Sequence, residues 1–416
     1  MIKAVKGTRD ILPPQSAVWN RVEATAREVF RTFHYQEIRT PIFEETALFA
    51  RGVGEETDIL SKEMYTFEDR DGSKLTLRPE NTASVIRAYL EHRLDQIPGP
   101  KRLYYLGPMF RRERPQKGRY RQFFQIGAEA IGLESPVLDA EIIELVSTLL
   151  GACGVSGSRL LINSVGDPDS RARYVAKLKE VLGAHLADLS ADSQRRAVTN
   201  PLRVLDSKDP QDQPIVALLP SIHDYLNEAC RDHFAAVCRY LSDRGIAYEV
   251  NPRLVRGLDY YTHTTFEFLH GALGAQNAIC GGGRYNGLAE SLGAKTPAPG
   301  IGFSIGQDRL LMAVEEAQPA GFAPKPLDLF VAPMTEAAFL AGAREAKVLR
   351  GAGFSVEVAP AGKFKKLLEL ASKSGARFAL LIGDDELAAG RFGLKNLATG
   401  EQQAVAAFDL AAHLLG

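Results

Sequence analysis

The stretch that most restricts how this chain can fold is residues 105–132, YLGPMFRRERPQKGRYRQFFQIGAEAIG. It predicts two strands joined by a basic loop, because Pro115 and Gly118 interrupt the pattern in the middle. Along the returning strand, side chains of different character alternate with a period of two. One face carries a cation, an aromatic ring, an amide and a carboxylate in a row, from Arg121, Phe123, Gln125 and Glu129. We interpret that face as a ligand-binding surface.

The loop of this hairpin holds six basic residues and one acid between positions 111 and 121. A run of charges is usually a solvated surface, and that alternative stays open for the hairpin taken alone. A second segment, residues 253–268, RLVRGLDYYTHTTFEF, favours a binding site because it alternates in the same way. Its predicted strand carries five polar side chains on one face, namely Asp259, Tyr261, His263, Thr265 and Glu267. An arginine at its mouth, Arg256, followed by two tyrosines suits an anionic ligand beside a planar one.

Two glycine clusters follow, CGGGRYNGLAESLG from Cys280 and GIGFSIGQDRLLMAVEEA from Gly300. Glycine lets the backbone approach a ligand closely, and the second cluster leads into an amphipathic helix with Arg309 in its first turn. Both clusters read G-x-G-x-x-x-G, which matches neither the dinucleotide fingerprint nor the Walker phosphate loop. The sequence therefore excludes the usual NAD-binding and P-loop assignments.

Charge and cysteine content exclude further classes. Fifty basic residues balance 51 acidic ones, so the net charge is −1 and a nucleic-acid surface must be a local patch. A pure RNA-binding module is usually strongly basic. The four cysteines form no C-x-x-C pair and predict free thiols, with neither a zinc site nor a disulfide framework. We find no signal peptide and no apolar run of 18 residues, which predicts a cytoplasmic protein without a membrane partner.

The 416 residues are too many for one ordinary core and predict two or three domains. Antiparallel strands with helices dominate residues 1–320, and a mostly helical insertion is predicted at about 165–250. Two prolines and a glycine in GFAPKPLD mark a linker at 321–327. Residues 328–416 alternate strands and helices and predict a small α/β domain. The predicted class is therefore α+β.

Seven segments, taken in order, resemble the histidyl-tRNA synthetase family. They look like the three motifs of the class II synthetase fold and the two segments characteristic of the histidine enzymes, and the resemblance covers essentially the whole chain. The segments are KGTRDILP (6–13), EIRTPIFEETALFARGVGEETDILSKEMYTF (37–67), LTLRPENTA (75–83), the hairpin, RGLDYYT, GGGRYNGL and GIGFSIGQDRL.

The resemblance implies a class II catalytic domain on a mainly antiparallel sheet with flanking helices, followed by an anticodon-binding domain. It implies ligation of L-histidine to its cognate tRNA through a histidyl-adenylate, with ATP as substrate and Mg²⁺ accompanying it. Segment 37–67 resembles the motif that builds a homodimer, and its apolar residues suit a buried symmetric patch. Those residues are Ile38, Ile42, Phe43, Leu48 and Phe49.

Activation of an amino acid with ATP needs cations where negative charge builds on phosphate oxygens. The resemblance assigns catalysis to Arg256 and Arg111, with Arg256 standing where other class II enzymes use a metal ion. The alternative for Arg256 is a structural ion pair with Asp259. The expected ATP ligands are Arg111, Glu113, Arg119, Phe123 and Arg309, with Glu113 at the adenine end.

Histidine needs an anion for its α-ammonium group and hydrogen bonds for both imidazole nitrogens. Glu80 and Gln125 suit the ammonium, and Glu80 can also act as a favourable charge at a helix N-terminus. The resemblance makes Glu129 and Tyr261 the imidazole ligands, with Tyr285 closing the pocket. A site that hydrogen-bonds its substrate rejects analogues lacking those groups, so it selects histidine without editing.

At the hairpin tip, Gln116 is the candidate for a base contact with the tRNA acceptor end and Arg114 for the adjacent phosphate. The alternative is that this loop only covers ATP. A rival function from another class is a catalytically silent, histidine-binding regulatory paralogue. Such a protein would lose the phosphate-binding arginines or the C-terminal domain. A synthetase for another amino acid is disfavoured by RGLDYYT, which belongs to the histidine enzymes.

Overall fold

The computed structural model describes residues 2–53, 63–116, 118–273, 277–317 and 325–415. The chain divides into two compact units, residues 1–323 and 324–416. The predicted linker at 321–327 falls largely outside the described residues, which resume at 325. Across the described ranges, no helix is both long enough and apolar enough to cross a membrane.

The first unit is built on an eight-stranded sheet with the order β1-β5-β6-β11-β10-β9-β7-β8. Only the outer pairs β1–β5 and β7–β8 are parallel, so the prediction of a mainly antiparallel sheet is confirmed. The strands are β1 Gln36–Glu37, β5 Lys101–Phe110, β6 Gln122–Ile131, β7 Arg159–Ser164, β8 Glu249–Val250, β9 Thr262–Leu269, β10 Ala278–Arg284 and β11 Gly300–Gly306. A small antiparallel sheet, β2-β4-β3, comprises β2 Phe43–Glu45, β3 Tyr65–Glu68 and β4 Lys74–Leu77.

Helices pack on both faces of the large sheet, with α1 and α4 over one face and α3 and α9 on the other face, beside the site. The helices of this unit are α1 Gln15–Thr32, α2 Thr46–Val53, α3 Thr82–Glu91, α4 Pro136–Ala152, α5 Pro168–Ala184, α6 Ala191–Thr199, α7 Gln213–Leu218, α8 Glu228–Asp243, α9 Leu288–Ser291 and α10 Gln307–Ala317. Trp19 and Phe30 of α1 and the apolar side of α4 share one core with Ile126 and Ala128 of β6. The β6 alternation therefore sends Ile126 and Ala128 to this core and Gln125 and Glu129 to the opposite face.

Helices α5 to α7 lie where the helical insertion is predicted and have an apolar core of their own, whereas Val237 and Leu241 of α8 join the core of the large sheet. Tyr174, Leu178 and Leu182 of α5 pack there with Val216 and Leu226. Asp167 caps α5 by accepting a hydrogen bond from the Ser170 backbone N–H at 2.8 Å, and Pro168 occupies the first helical position. The N-terminus of α5 is therefore fixed close to the main sheet.

The strand predicted within residues 253–268 is shorter than expected. Strand β9 begins at Thr262, and the preceding residues 256–261 form bends and turns without strand pairing. His263 has a φ of 48°, and the β9–β10 register shifts between Gly283 and Arg284. The single polar face predicted from Asp259 to Glu267 is therefore wrong at its start, because a period of two holds only along extended backbone.

The second unit is a five-stranded sheet with the order β13-β12-β14-β15-β16. Its elements are β12 Leu329–Pro333, α11 Glu336–Gly351, β13 Val356–Val358, α12 Phe364–Lys373, β14 Phe378–Ile382, α13 Asp384–Ala389, β15 Arg391–Asn396, β16 Gln402–Ala406 and α14 Leu410–Leu415. The first three strands are parallel, as the predicted alternation requires. The antiparallel strands β15 and β16 were not predicted.

Candidate active site

A cavity of about 320 Å³ lies on the polar face of the large sheet. Its lining combines two kinds of residue, which define two regions. The acidic end consists of Glu80, Thr82, Tyr105, Gln125, Glu129, Tyr260, Tyr261 and Tyr285, and the arginine end consists of Arg111, Glu113, Arg119, Phe123, Arg256, Glu267 and Arg309. All eleven residues predicted to bind histidine or ATP or to catalyse their reaction line this one cavity, with Arg111 serving in two of the predicted roles.

Glu129 of β6 is the centre of the acidic end and is 1% exposed. Its carboxyl oxygens accept hydrogen bonds from Tyr285 Oη at 2.7 Å, Thr82 Oγ1 at 2.8 Å and Tyr105 Oη at 3.4 Å. Gly302 of β11 is its cross-strand neighbour, and a Cβ there would collide with the carboxylate. Glycine at 302 therefore makes room for the Glu129 side chain.

Burial raises the pKa of Glu129 to about 8, even though its three hydroxyl donors act in the opposite direction. Burial also raises the pKa of Glu80 above its ordinary value. An uncharged Glu129 gains most from a ligand that brings a positive charge or an N–H donor, since either would stabilise its ionised form. The acidic end is therefore suited to a nitrogen base.

Glu80 lies at the turn between β4 and α3 and is 4% exposed. Its carboxylate accepts hydrogen bonds from the backbone N–H groups of Thr82 at 2.7 Å and Ala83 at 3.0 Å. The expected charge at a helix N-terminus is confirmed, since α3 begins at Thr82. The carboxyl group also lines the cavity, so the helix role does not exclude a contact with the substrate.

Gln125 follows the same face of β6 into the cavity. Its Oε1 atom is buried and has no hydrogen-bond partner among the residues that the structure describes. A buried acceptor without a partner is costly, so a donor supplied by a ligand would remove that cost. This oxygen is the clearest vacant acceptor at the acidic end.

At the arginine end, Arg111 is held by the turn between β4 and α3 and by an aromatic ring. Its Nε donates to the Pro79 carbonyl at 2.9 Å, and its guanidinium carbon lies 5.3 Å from the centre of the Phe123 ring. Arg119 pairs with Glu113 at 3.0 Å, and Glu113 is also 3.9 Å from Arg111. One carboxylate thus lies between two of the predicted ATP-binding cations.

Arg256 forms an ion pair with Glu267 of β9, and its guanidinium lies over Gly281, where a Cβ would collide with it. The alternative of a structural pair between Arg256 and Asp259 is wrong. Asp259 instead lies 3.8 Å from Arg171 and accepts a hydrogen bond from Asn200 Nδ2 at 3.0 Å. Arg256 and Asp259 thus have separate partners, Glu267 of β9 for the first and Arg171 and Asn200 for the second.

Arg309 lies in the first turn of α10, as predicted, and donates from Nη1 to the Ala278 carbonyl at 2.7 Å. Burial lowers its pKa, and the nearby cations Arg119, Arg111 and Arg256 lower it further. Four guanidinium groups near one another raise the local positive potential, and an anionic ligand would reduce their mutual repulsion. The arginine end is therefore suited to phosphates.

The two residues predicted to contact tRNA do not line the cavity. Arg114 and Gln116 are exposed on the loop between β5 and β6. Gln116 pairs with Arg119 through both backbone groups, at 3.1 and 2.9 Å. Lys117, the last residue of the predicted tip, lies outside the described residues.

Sequence reasoning assigned no role to several residues that the structure brings to the cavity. Thr82 and Tyr105 donate to Glu129, Tyr260 lines the acidic end, and Glu267 pairs with Arg256. The β9 alternation had placed Glu267 on the polar face, which was the available signal for it. Tyr260 was noted only as one of two tyrosines after Arg256, and the strand alternation placed it on the face opposite Tyr261.

Comparisons with known proteins agree along the whole chain. A family model described as Histidyl-tRNA synthetase matches residues 7–310, and one described as Anticodon binding domain matches residues 328–415. A histidine–tRNA ligase of Solibacter usitatus is 67% identical over 414 residues, covering 100% of this chain and 99% of that protein. The corresponding ligase of Koribacter versatilis is 54% identical over 426 residues, with 100% and 96% covered. The structure of apo S. aureus histidyl-tRNA synthetase superposes with a TM-score of 0.83 at 38% identity, covering 100% of both chains.

Proposed function

The chain belongs to the histidyl-tRNA synthetase family, and we propose that the cavity on its large sheet is where histidine and ATP react. The protein ligates L-histidine to its cognate tRNA through a histidyl-adenylate, releasing pyrophosphate and AMP. One observation carries the assignment of the site. A single cavity has a buried, hydroxyl-bonded carboxyl group at one end and four arginines at the other.

Histidine binds at the acidic end in this proposal. Glu129 and Tyr261 take the two imidazole nitrogens, with Tyr285 closing the pocket. Glu80 and the vacant Oε1 atom of Gln125 accept from the α-ammonium group. An imidazole N–H next to Glu129 stabilises the ionised carboxylate, which burial otherwise disfavours. A side chain without such a nitrogen would leave these buried polar groups unpaired, which is the basis of selection.

ATP binds at the arginine end with its Mg²⁺ ion, which enters as part of the substrate. A carboxylate oxygen of histidine attacks the α-phosphorus, the bond to the β-phosphate oxygen breaks, and pyrophosphate leaves. Arg111 and Arg256 stabilise the charge on the α-phosphate and orient the attacking carboxylate. Arg119 and Arg309 hold the remaining phosphates, with Phe123 stacked on adenine and Glu113 accepting from its amino group. We assign no metal ion to the protein itself.

The terminal ribose hydroxyl of the tRNA then attacks the carbonyl carbon of the adenylate, and AMP leaves. The exposed side chains of Arg114 and Gln116 are proposed to contact a phosphate and a base of the acceptor end. Residues 328–415 match an anticodon-binding domain, and we assign them to the anticodon stem. The alternative that the loop only covers ATP receives no support from the exposure of these two side chains.

A homodimer through segment 37–67 remains part of the proposal, with a correction to its contact residues. Phe49 is fully buried and Leu48 is 9% exposed, because both pack with Ala83 inside the same chain. They are therefore not available to a second subunit. Ile42 and Phe43 stay 44% and 53% exposed, and they carry the proposed contact. Residues 54–62 of this segment lie outside the described residues.

Light scattering at micromolar protein tests the dimer, which should have about twice the 45.4 kDa mass of the chain. A species of the monomer mass alone would contradict it. The cytoplasm is the proposed location, as expected for a protein that charges tRNA.

The regulatory paralogue is not favoured by any observation on this chain. Such a protein was expected to lack the phosphate-binding arginines or the C-terminal domain. Arg111, Arg119, Arg256 and Arg309 all line the cavity, and residues 328–415 match the anticodon-binding family. The curated relatives with the highest identities given above are named as ligases.

Exchange of labelled pyrophosphate into ATP tests the site, with each amino acid supplied in turn. Histidine should support exchange, and the other amino acids should not. Replacing Glu80 or Gln125 should weaken the binding of histidine, whereas replacing Arg309 should weaken the binding of ATP. Activation of another amino acid, or an equal effect of these variants on both substrates, would contradict the assignment.

A further inference from the structure

The turn at residues 256–261 carries four side chains of the cavity, Leu258 among them, but has no strand pairing of its own. Arg256, Tyr260 and Tyr261 all line the cavity. Since the turn lies before β9, its backbone carbonyls cannot be satisfied by the β9–β10 or β7–β9 ladders. Something outside the sheet must hold this backbone in place.

Arg171 of α5, in the helical insertion, supplies that support. Its Nη1 donates to the Asp259 carbonyl at 2.7 Å and lies 3.3 Å from the Tyr261 carbonyl, so one nitrogen bonds the carbonyls on both sides of Tyr260. Its Nη2 lies 3.8 Å from the Asp259 carboxylate. Asn200 holds the same carboxylate from elsewhere in the insertion.

These contacts continue without a break to the centre of the acidic end. The Tyr260 ring lies 4.8 Å from the Tyr261 ring and 6.0 Å from the Tyr285 ring. Tyr285 in turn donates to Glu129 at 2.7 Å. Fixing the peptide planes at both sides of Tyr260 therefore fixes where the two tyrosine rings meet the pocket.

The residue type suits this task. A guanidinium group presents several donors in a rigid plane, so it can hold two carbonyls and a carboxylate at once. The Arg171 side chain is only 26% exposed, so water does not readily replace these bonds. Arg256 in the same turn is anchored separately by Glu267 of β9. Loss of Arg171 should therefore displace Tyr260 and Tyr261 more than it displaces Arg256.

We propose that Arg171 is a positioning residue for histidine, which acts through the turn at 256–261 and links the helical insertion to the histidine pocket. The inference rests on the proposed function, since it needs the acidic end to be the histidine site. It adds a residue outside the cavity lining to those that set the affinity for histidine.

The test is the full-length Arg171→Ala variant in histidine-dependent pyrophosphate exchange. The KM for histidine should rise about tenfold, as expected for losing hydrogen bonds from a charged donor. The KM for ATP should stay within about twofold of wild type because Arg256 keeps its own partner. Arg173→Ala is the matched control. Arg173 lies on the same helix and donates to the Tyr225 carbonyl at 3.0 Å within the insertion, so its loss should leave both KM values unchanged.

A purely structural role for Arg171 would lower the midpoint of thermal unfolding without separating the two KM values. The inference would be overturned if Arg171→Ala kept the wild-type KM for histidine or raised both KM values equally. It would also be overturned if Arg173→Ala raised the KM for histidine as Arg171→Ala does. If Arg171→Ala does not fold, Arg171→Lys decides, because it keeps the charge but not the planar fork. It should raise the KM for histidine about threefold at an unchanged unfolding midpoint, and an unchanged KM would overturn the inference. Wild-type protein that shows no histidine-dependent exchange would instead overturn the proposed function.

Discussion

At the acidic end of the cavity, Glu129 is 1% exposed and its carboxyl group is bonded to three hydroxyls, whereas at the arginine end Arg119 keeps 41% of its side chain exposed. Both ends use charged residue types, but burial has a different effect on each. It favours the neutral form of Glu129, whereas the partly exposed arginines keep their charge and repel one another.

The difference teaches how one cavity can recognise two chemically different substrates. The acidic end acts by the geometry of desolvated hydrogen bonds, where an unmatched partner is costly. The arginine end acts by the summed positive charge of its arginines, and salt screens this charge. ATP binding should therefore tolerate the loss of one exposed arginine. Changes at the acidic end should therefore affect histidine alone. Changes at the arginine end should affect ATP according to how deeply each arginine is placed.

Arg256 gives the largest expected effect, because it is assigned to the reacting α-phosphate and its side chain, 24% exposed, is held in place by Glu267. Arg256→Ala should reduce histidine-dependent pyrophosphate exchange by at least about 100-fold, the size expected for removing one preorganised charge donor from a transition state. The loss should appear in kcat. The exposed Arg253, three residues earlier, is the matched control, and Arg253→Ala should keep normal exchange. Near-normal exchange in a folded Arg256→Ala protein would make Arg256 structural and leave the arginine end without its catalytic member.

Glu129→Gln should give the next largest effect and should act on histidine only. The amide keeps the shape but cannot carry the negative charge that an imidazole N–H stabilises, so the KM for histidine should rise about 30- to 100-fold. The KM for ATP should be unchanged in the same exchange assay. Glu134→Gln, at an exposed carboxylate outside the cavity lining, should change neither value. A parallel rise of both KM values in Glu129→Gln would remove the distinction between the two ends.

The protonation of Glu129 should also make the free energy of unfolding depend on pH, which tests the effect of burial at the acidic end. The folded protein holds this proton more tightly than the unfolded chain, because burial raises the pKa from 4.5 to about 8. Its contribution to the free energy of unfolding is therefore complete below pH 4.5 and is lost as the pH rises through 8. Compared with Glu129→Gln, wild type should lose at most about 5 kcal/mol between pH 5 and pH 9. Denaturant unfolding of both proteins without ligand measures this, and a constant difference across that range would mean that Glu129 is not protonated when the site is empty.

The two parts of the site also differ in how well they could be predicted from the sequence. Regular periodicity was enough on β6, where Phe123, Gln125 and Glu129 reach the cavity together because the strand is extended throughout. It failed in the turn before β9, where Asp259 was predicted to share one strand face with Tyr261 and Glu267. Arg171, the actual partner of Asp259, lies 88 residues earlier in the chain. No local pattern encodes such a contact, since it depends on how the insertion packs against the sheet.

The segment 37–67 shows a second limit. Its apolar residues predicted one buried symmetric patch between two subunits, but hydrophobicity does not say what covers an apolar side chain. Leu48 and Phe49 are buried by Ala83 of the same chain, whereas Ile42 and Phe43 are left exposed. The antiparallel strands β15 and β16 were missed for a related reason. They follow two parallel strand–helix units, and the pattern of those units alone does not show that the sheet continues in the other direction.

Arg309→Ala and Arg119→Ala compare a deep and a shallow member of the arginine end. Arg309 is largely withdrawn from water, so its loss should raise the KM for ATP about tenfold. Arg119 is 41% exposed and shares Glu113, so its loss should raise the KM for ATP only about threefold at low salt. The Arg119 effect should shrink further at high ionic strength. Exchange assays at two salt concentrations measure both, with the histidine KM as internal control. If both variants raised the KM for ATP equally and independently of salt, the burial of each arginine would not determine its contribution.

The last prediction concerns Gln116, which lies on the same loop as Arg119 but outside the cavity. Gln116→Ala should leave pyrophosphate exchange unchanged, because its side chain is exposed and its pairing with Arg119 uses backbone atoms that alanine retains. Transfer of histidine to tRNA should slow by about five- to tenfold, the size of one lost base contact. Arg114→Ala should also slow transfer but should in addition reduce its dependence on salt, since a phosphate contact releases counterions on binding. Single-turnover transfer from preformed adenylate, measured beside exchange, separates the two steps. If Gln116→Ala impaired exchange as much as transfer, the loop would serve ATP, and the arginine end would extend to the tip of the hairpin.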